Sequence, residues 1–206
     1  MKALTLIIVL FCIQAQSAIL IEEGYKPAPV ESSTSTSIQS ITASKDEYLA
    51  FASSYDIRKA FKMAFGTAIG GQVGTFGFKF DINFDPLNTF VGGFGGGSGF
   101  RTVQFGYKAI YDGQFMTPYW TASLVNWSNA SGNLDSAMLE DVYLNQTEKQ
   151  TNAFNKTFAV PSIGVQYTQL NGPFVGTTLF AETMLFVDFQ DFKSALNGTL
   201  GITYLF

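Results

Sequence analysis

Large apolar side chains occupy every second position between Phe76 and Phe84, where Phe76, Phe78, Phe80, Ile82 and Phe84 alternate with Gly77, Lys79, Asp81 and Asn83. A repeat of two puts successive side chains on opposite faces of a strand. The same alternation predicts a strand over 61–69, with Phe61, Met63, Phe65 and Ile69 opposite Lys62, Ala64, Gly66 and Ala68. Another is predicted over 100–111, where Val103, Phe105, Tyr107 and Tyr111 oppose Thr102, Gln104, Gly106 and Lys108. Further strands are predicted over 114–125 (Met116, Trp120, Leu124), 157–170 (Ile163, Val165, Tyr167) and 173–187 (Val175, Leu179, Ala181, Leu185, Val187). The closing stretch puts Leu200, Ile202, Tyr204 and Phe206 on one face. A glycine-rich stretch from Thr89 to about Gly95, where glycine blurs the alternation, brings the total to eight.

The connections set the topology. "DPLN" at 85–88, "DG" at 112–113 and "NG" at 171–172 are tight-turn sequences between strands two and three, four and five, and six and seven. The long connection, about 126–156, joins strands five and six. Short turns alternating with longer loops predict an eight-stranded antiparallel up-and-down β-barrel.

Alternation alone does not say whether the apolar face points inward or outward. Volume decides it. An eight-stranded barrel has an interior only just wide enough for side chains, and a face carrying Phe76, Phe78, Phe80, Phe84, Phe105, Tyr107, Trp120 and Tyr204 would overfill it. The opposite face, of Gly, Thr, Ser, Ala, Gln and a few charges, fits inside. Lipid accepts the rings, and a strand of about eleven residues rising ~3.3 Å per residue and tilted by about 40° spans roughly the 25 Å apolar band of an outer membrane.

The N-terminus adds an export signal. Lys2 is followed by an apolar stretch from Ala3 to Ile13 and by Ala15 and Ser17, at −3 and −1 to a cut before Ala18, which is the layout of a signal peptide over 1–17. Cys12 follows bulky Phe11, not the small residues a lipidation site requires, and removal of the peptide leaves no cysteine for a disulfide. Residues 18–58 are expected to form a flexible extension, rich in Ser, Thr and Pro over 26–44, and the barrel is expected over 59–206. Ser44 and Glu47 match a helix capping box, so Tyr48, Leu49, Ala52 and Tyr55 either share one face of a short helix or continue an irregular lead-in.

Composition removes several classes of function. The chain of 206 residues contains 21 Phe and 20 Gly with only 14% charged residues, yet has no apolar run of eighteen residues, which excludes a helical membrane span. A net charge of −4 without a basic cluster argues against nucleic acid. There is no histidine. Base catalysis at neutral pH and the commonest metal and haem ligands lose their main residue, so no enzymatic role, cofactor or metal is expected. "VGGFGGGSG" at 91–99 lacks the lysine and the spacing of a phosphate-binding loop and is expected to be a hairpin tip.

With its export signal, eight alternating strands and the ending "LGITYLF", the chain resembles the small eight-stranded outer-membrane barrels of Gram-negative bacteria, of the outer-membrane protein A/X type. The resemblance implies outer-membrane lipid as the surroundings and recognition by the barrel assembly machinery. It implies that Leu200, Ile202, Tyr204 and Phe206 form the C-terminal assembly signal of the last strand. Lys62, Lys79, Asp81, Lys108 and Glu182 are the expected lumen charges. They either line an ion-selective passage or pair as an internal plug; the narrow interior favours pairing. The loop 126–156, with Trp127, Asp135, Glu140, Asp141 and Glu148, is either a contact surface for an extracellular partner or a solvated loop. Asn126, Asn129, Asn145, Asn155 and Asn197 begin N-x-Ser/Thr triplets, which have no default meaning in a bacterial chain. The expected role is structural, adhesive or surface-interacting. The alternatives are a narrow channel for ions or small solutes, and a soluble secreted barrel holding an apolar ligand.

Overall fold

Each of the eight predicted strands is present in the computed structural model, which describes residues 50–130, 143–151 and 153–206. They are β1 (Met63–Ile69), β2 (Phe76–Asn83), β3 (Asn88–Gly97), β4 (Phe100–Ile110), β5 (Met116–Asn129), β6 (Asn155–Thr168), β7 (Thr177–Asp188) and β8 (Ser194–Leu205). Each pairs antiparallel with the next, and β8 returns to β1 to close the barrel. The seam sets Phe65 opposite Tyr204 and Ala64 opposite Leu205. Beyond it the Phe206 amide donates to the Met63 carbonyl at 2.9 Å. The last residue is therefore tied into the sheet, and closure leaves no free edge.

Three tight connections, 84–87, 111–115 and 169–176, lie at one end with the start of β1 and the end of β8. In the first, Asp85 Oδ1 accepts from the amides of Leu87 (2.8 Å) and Asn88 (2.9 Å), the local turn its side chain favours. The Asn88 side-chain bond, then the Leu87 amide, hold the Asp85 carboxyl below its ordinary range. The long connection is at the opposite end. It is shorter than expected, because β5 continues to Asn129 and β6 begins at Asn155. Its helix α2 (Gln146–Thr151) starts with a reciprocal cap, Asn145 Oδ1 accepting from the Glu148 amide at 2.9 Å and Glu148 Oε2 from the Asn145 amide at 2.8 Å.

The two faces separate by chemistry. Phe65, Phe76, Phe94, Phe105, Trp120, Ile163, Leu179, Leu200 and Tyr204 are exposed on the outside. Lys79, Asp81, Gln104, Lys108, Thr121, Ser162, Gln166, Glu182 and Thr203 are buried inside. This is the reverse of a water-soluble barrel. The outer rings also pack laterally, with Phe78 5.7 Å from Phe65 and 5.4 Å from Phe94.

The interior departs from the expectation of small polar side chains. Tyr119 and Phe180 both point inward and are buried. Directly opposite them in register stand Gly164 and Gly201, where a Cβ would overlap the facing ring. Glycine on the neighbouring strand thus makes the room that an eight-stranded interior otherwise lacks.

Of the two expected lead-ins over 48–55, a short helix or an irregular entry, the described residues 50–53 are non-helical and a helix begins only at Ser54. Helix α1 (Ser54–Ala60) is capped by Ser53, whose Oγ accepts from the Asp56 amide at 3.2 Å and donates to Asp56 Oδ2 at 2.8 Å. The capping sequence is therefore "SSYD", and α1 runs across the expected boundary at 58. Ser44, Glu47, Tyr48 and Leu49, like the signal and linker stretches, lie outside the described residues.

Candidate functional site: a filled barrel interior

The interior is occupied in layers from one mouth to the other. Midway, Glu182 on β7 is the common acceptor for five side chains, four from three other strands and one from an inserted turn. Lys79 Nζ (β2) lies 3.3 Å away, Ser162 Oγ (β6) 2.5 Å, Tyr119 Oη and Thr121 Oγ1 (β5) 3.2 and 3.3 Å, and Gln72 Nε2 3.3 Å. Gln72 belongs to a 3-10 turn, Gly71–Val73, that folds into the barrel from the long-loop end. Glu182 is 4% exposed. So dense a set of donors is what a carboxylate needs to stay ionised away from water. Lys79 also sits 4.7 Å above the Phe180 ring.

A second charged layer lies nearer the short-turn mouth, where Lys108 on β4 pairs with Asp81 on β2, across the intervening β3. Lys108 lies 5.3 Å from the Tyr119 ring, which stands between the two layers. Lys79, Asp81, Lys108 and Glu182 thus occupy the interior as two pairs, whereas Lys62 is exposed just ahead of β1 and takes no part in them.

The long-loop mouth is closed by a cluster that sequence reasoning missed. Trp127 on β5 points inward, with ring centroids 5.5 Å from Phe100, 5.4 Å from Tyr143, 5.2 Å from Phe158 and 5.1 Å from Phe186. Val125, Val160, Met184, Leu144 and Phe154 complete the layer. The expected placing of Trp127 in the loop 126–156, as contact surface or solvated residue, is corrected here: β5 runs two alternations further, and Val125 and Trp127 continue its inward face. Burial of this cluster raises the Tyr143 hydroxyl to about 12.

Beside the cap is a third interior ammonium. Lys156 Nζ lies 2.8 Å from Asp188 Oδ2, 3.0 Å from Asp191 Oδ2 and 3.7 Å from Glu148 Oε2, tying β6 to β7, the β7–β8 loop and α2. The bond from Lys156 holds the Asp191 carboxyl low. Lys156 lies one residue ahead of the predicted start of its strand, so the alternation did not assign it a face. Among the described residues no group of three or more metal-ligating side chains could hold an ion.

The architecture defines the chain as an eight-stranded, closed, antiparallel β-barrel with an apolar exterior and a filled polar interior. It is similar to the N-terminal β-barrel domain of Pseudomonas aeruginosa OprF, with a TM-score of 0.50 and 12% identity over 70% of this chain and 96% of that one. It is also similar to crystalline Ail, the attachment invasion locus protein of Yersinia pestis (TM-score 0.37, 14% identity, 70% of this chain and 96% of that one). The structure of Ail in a phospholipid bilayer nanodisc gives 0.39 and 13% over 71% and 99%. At these identities the likeness is one of fold. No family model and no curated protein matches the sequence.

Proposed function

We propose that this chain is a transmembrane barrel of a Gram-negative outer membrane that serves as a closed structural and surface-presenting element, with adhesive contacts made from the long-loop end. The observation that carries the reading is the pairing of a ring-covered exterior with an interior filled from mouth to mouth. The exterior needs lipid, because so continuous an apolar surface on a soluble monomer would drive aggregation. The filled interior weighs against the channel alternative. The soluble ligand-binding barrel requires the aromatic face to point inward, and it points outward.

Two measurements test the proposal together. Fractionation is expected to place the protein in the outer membrane, and wild-type barrels in planar bilayers are expected to pass no steady current. A soluble periplasmic or secreted product overturns the membrane reading; a reproducible open-channel current overturns the closed one.

Leu200, Ile202, Tyr204 and Phe206 all face outward along β8, a surface available for recognition by the assembly machinery before the seam closes. Deleting Phe206 is expected to lower the amount of folded, membrane-embedded barrel several-fold while export continues. Unchanged levels of folded protein remove the assembly-signal assignment.

A further inference from the structure

α1 closes the short-turn mouth by bonding to the turns themselves. Ser54 Oγ donates to the Gly113 carbonyl at 2.6 Å, the Ser54 amide to the Gln114 carbonyl at 2.7 Å, and Arg58 Nε to the Pro86 carbonyl at 2.7 Å. Just ahead of the helix, the Phe51 amide donates to the Leu170 carbonyl at 2.9 Å. All three tight connections therefore hold the segment. The apolar attachment is Ile57, packed with Ala64 and Leu205 and flanked by the half-buried Phe51, Phe61, Leu170 and Val175.

Arg58 is 2% exposed, and no carboxylate among the described residues lies within ion-pair distance of it. Its Nη2 donates to Ser54 Oγ at 3.4 Å, but its Nη1 is buried without a partner. Burial lowers this guanidinium to about 10, against the opposing pull of Asp112. Beneath it is a cavity of about 10 Å³, lined by Arg58, Asp81, Asn83, Lys108, Gln166 and Thr203 among others. Asp81 Oδ2 accepts from Lys108 Nζ, while its Oδ1 is also buried and unpartnered. Two residues that line a space the size of a single water thus each carry a buried polar atom without a partner, one a donor and one an acceptor. Leaving both unmatched would cost the desolvation of two charged groups.

We propose that α1 is a detachable plug pinned by Arg58, and that the cavity beneath it binds one water that accepts from Arg58 Nη1 and donates to Asp81 Oδ1. An anion is disfavoured there because a carboxylate oxygen faces the same space and Lys108 is already matched. The water extends the Asp81–Lys108 pair to the plug and couples the outermost element to the lumen charges. A helix of seven residues has too few turns to persist alone. It is folded while docked and leaves as a unit, opening the lower charge layer to solvent.

The test uses the full chain carrying Cys12→Ser and Thr203→Cys, refolded in detergent, so that a single thiol borders the cavity. Its reaction with a charged maleimide is expected to be slow in this parent and at least about ten-fold faster once Arg58→Met shifts the local opening equilibrium. Ser54→Ala is expected to give an intermediate rate. Heat-modifiable migration on gels reports whether each barrel is folded. A folded Arg58→Met barrel labelled no faster than the parent overturns the pin; should that variant not fold, an unchanged rate in Ser54→Ala does the same. A crystal structure resolving ordered solvent is expected to show one water within hydrogen-bond distance of both atoms. A dry cavity, or a direct Arg58–Asp81 ion pair, overturns the bridge.

Discussion

Replacing Glu182 with glutamine is expected to lower the unfolding free energy by about 3–5 kcal/mol, the range for breaking a buried ion pair by removing one partner. The substitution keeps the shape of the side chain and removes only its charge. It leaves the Lys79 ammonium, with 8% of its side chain exposed, facing a neutral amide. It also turns one acceptor oxygen into a donor amid Lys79, Ser162, Tyr119, Thr121 and Gln72, all of which can donate. A surface pair would cost about 0–1 kcal/mol on the same change, so the magnitude reports whether water reaches the lumen. Unfolding by urea in detergent micelles or bilayers measures it. Combining Glu182→Gln with Lys79→Met removes both charges and is expected to recover part of the loss. A single-variant loss below about 1 kcal/mol would mean a wet lumen and return weight to the channel reading.

The fold was legible because strand faces obey a local rule. An alternation such as Phe76 to Phe84 can be read without knowing any partner strand, and Asp112-Gly113 or Asn171-Gly172 mark hairpins from two residues each. The pairing inside the barrel has no such rule. Lys79 and Glu182 are 103 residues apart, and their meeting depends on the stagger with which the sheet closes. The same holds for Tyr119 and Phe180, whose inward placing contradicts a volume argument based on one face at a time. It becomes intelligible only when the register sets Gly164 and Gly201 opposite them. α1 escaped because "SSYD" at 53–56 is no stronger a local signal than "SKDE" at 44–47, and the bonds that hold the helix to the turns have no local signature.

The cap at the long-loop mouth supplies the second large effect. Trp127→Ala is expected to destabilise the barrel by about 3–5 kcal/mol, because Phe100, Phe158 and Phe186, three of the four rings around the indole, cannot collapse into the space it leaves while β4, β6 and β7 hold them in register. Trp120, on the same strand but facing outward, is the control. It packs on Tyr107 at 5.5 Å and is 39% exposed on the outer face, so Trp120→Ala loses chiefly one aromatic pair, about 0.5–1.5 kcal/mol. Trp127→Phe sharpens the test. The indole Nε1 is buried without a hydrogen-bond partner, so phenylalanine removes an unmatched donor while keeping most of the packing, and a loss of no more than about 1.5 kcal/mol is expected. The near-ultraviolet circular dichroism of the ring cluster should fall in Trp127→Ala and remain largely intact in Trp120→Ala. Bilayers carrying Trp127→Ala should still pass no current, since the Glu182 and Asp81 layers lie below the cap. Equal losses at Trp127 and Trp120 would show that the inward ring makes no closed cap, and a current in Trp127→Ala would show that the cap alone keeps the barrel shut.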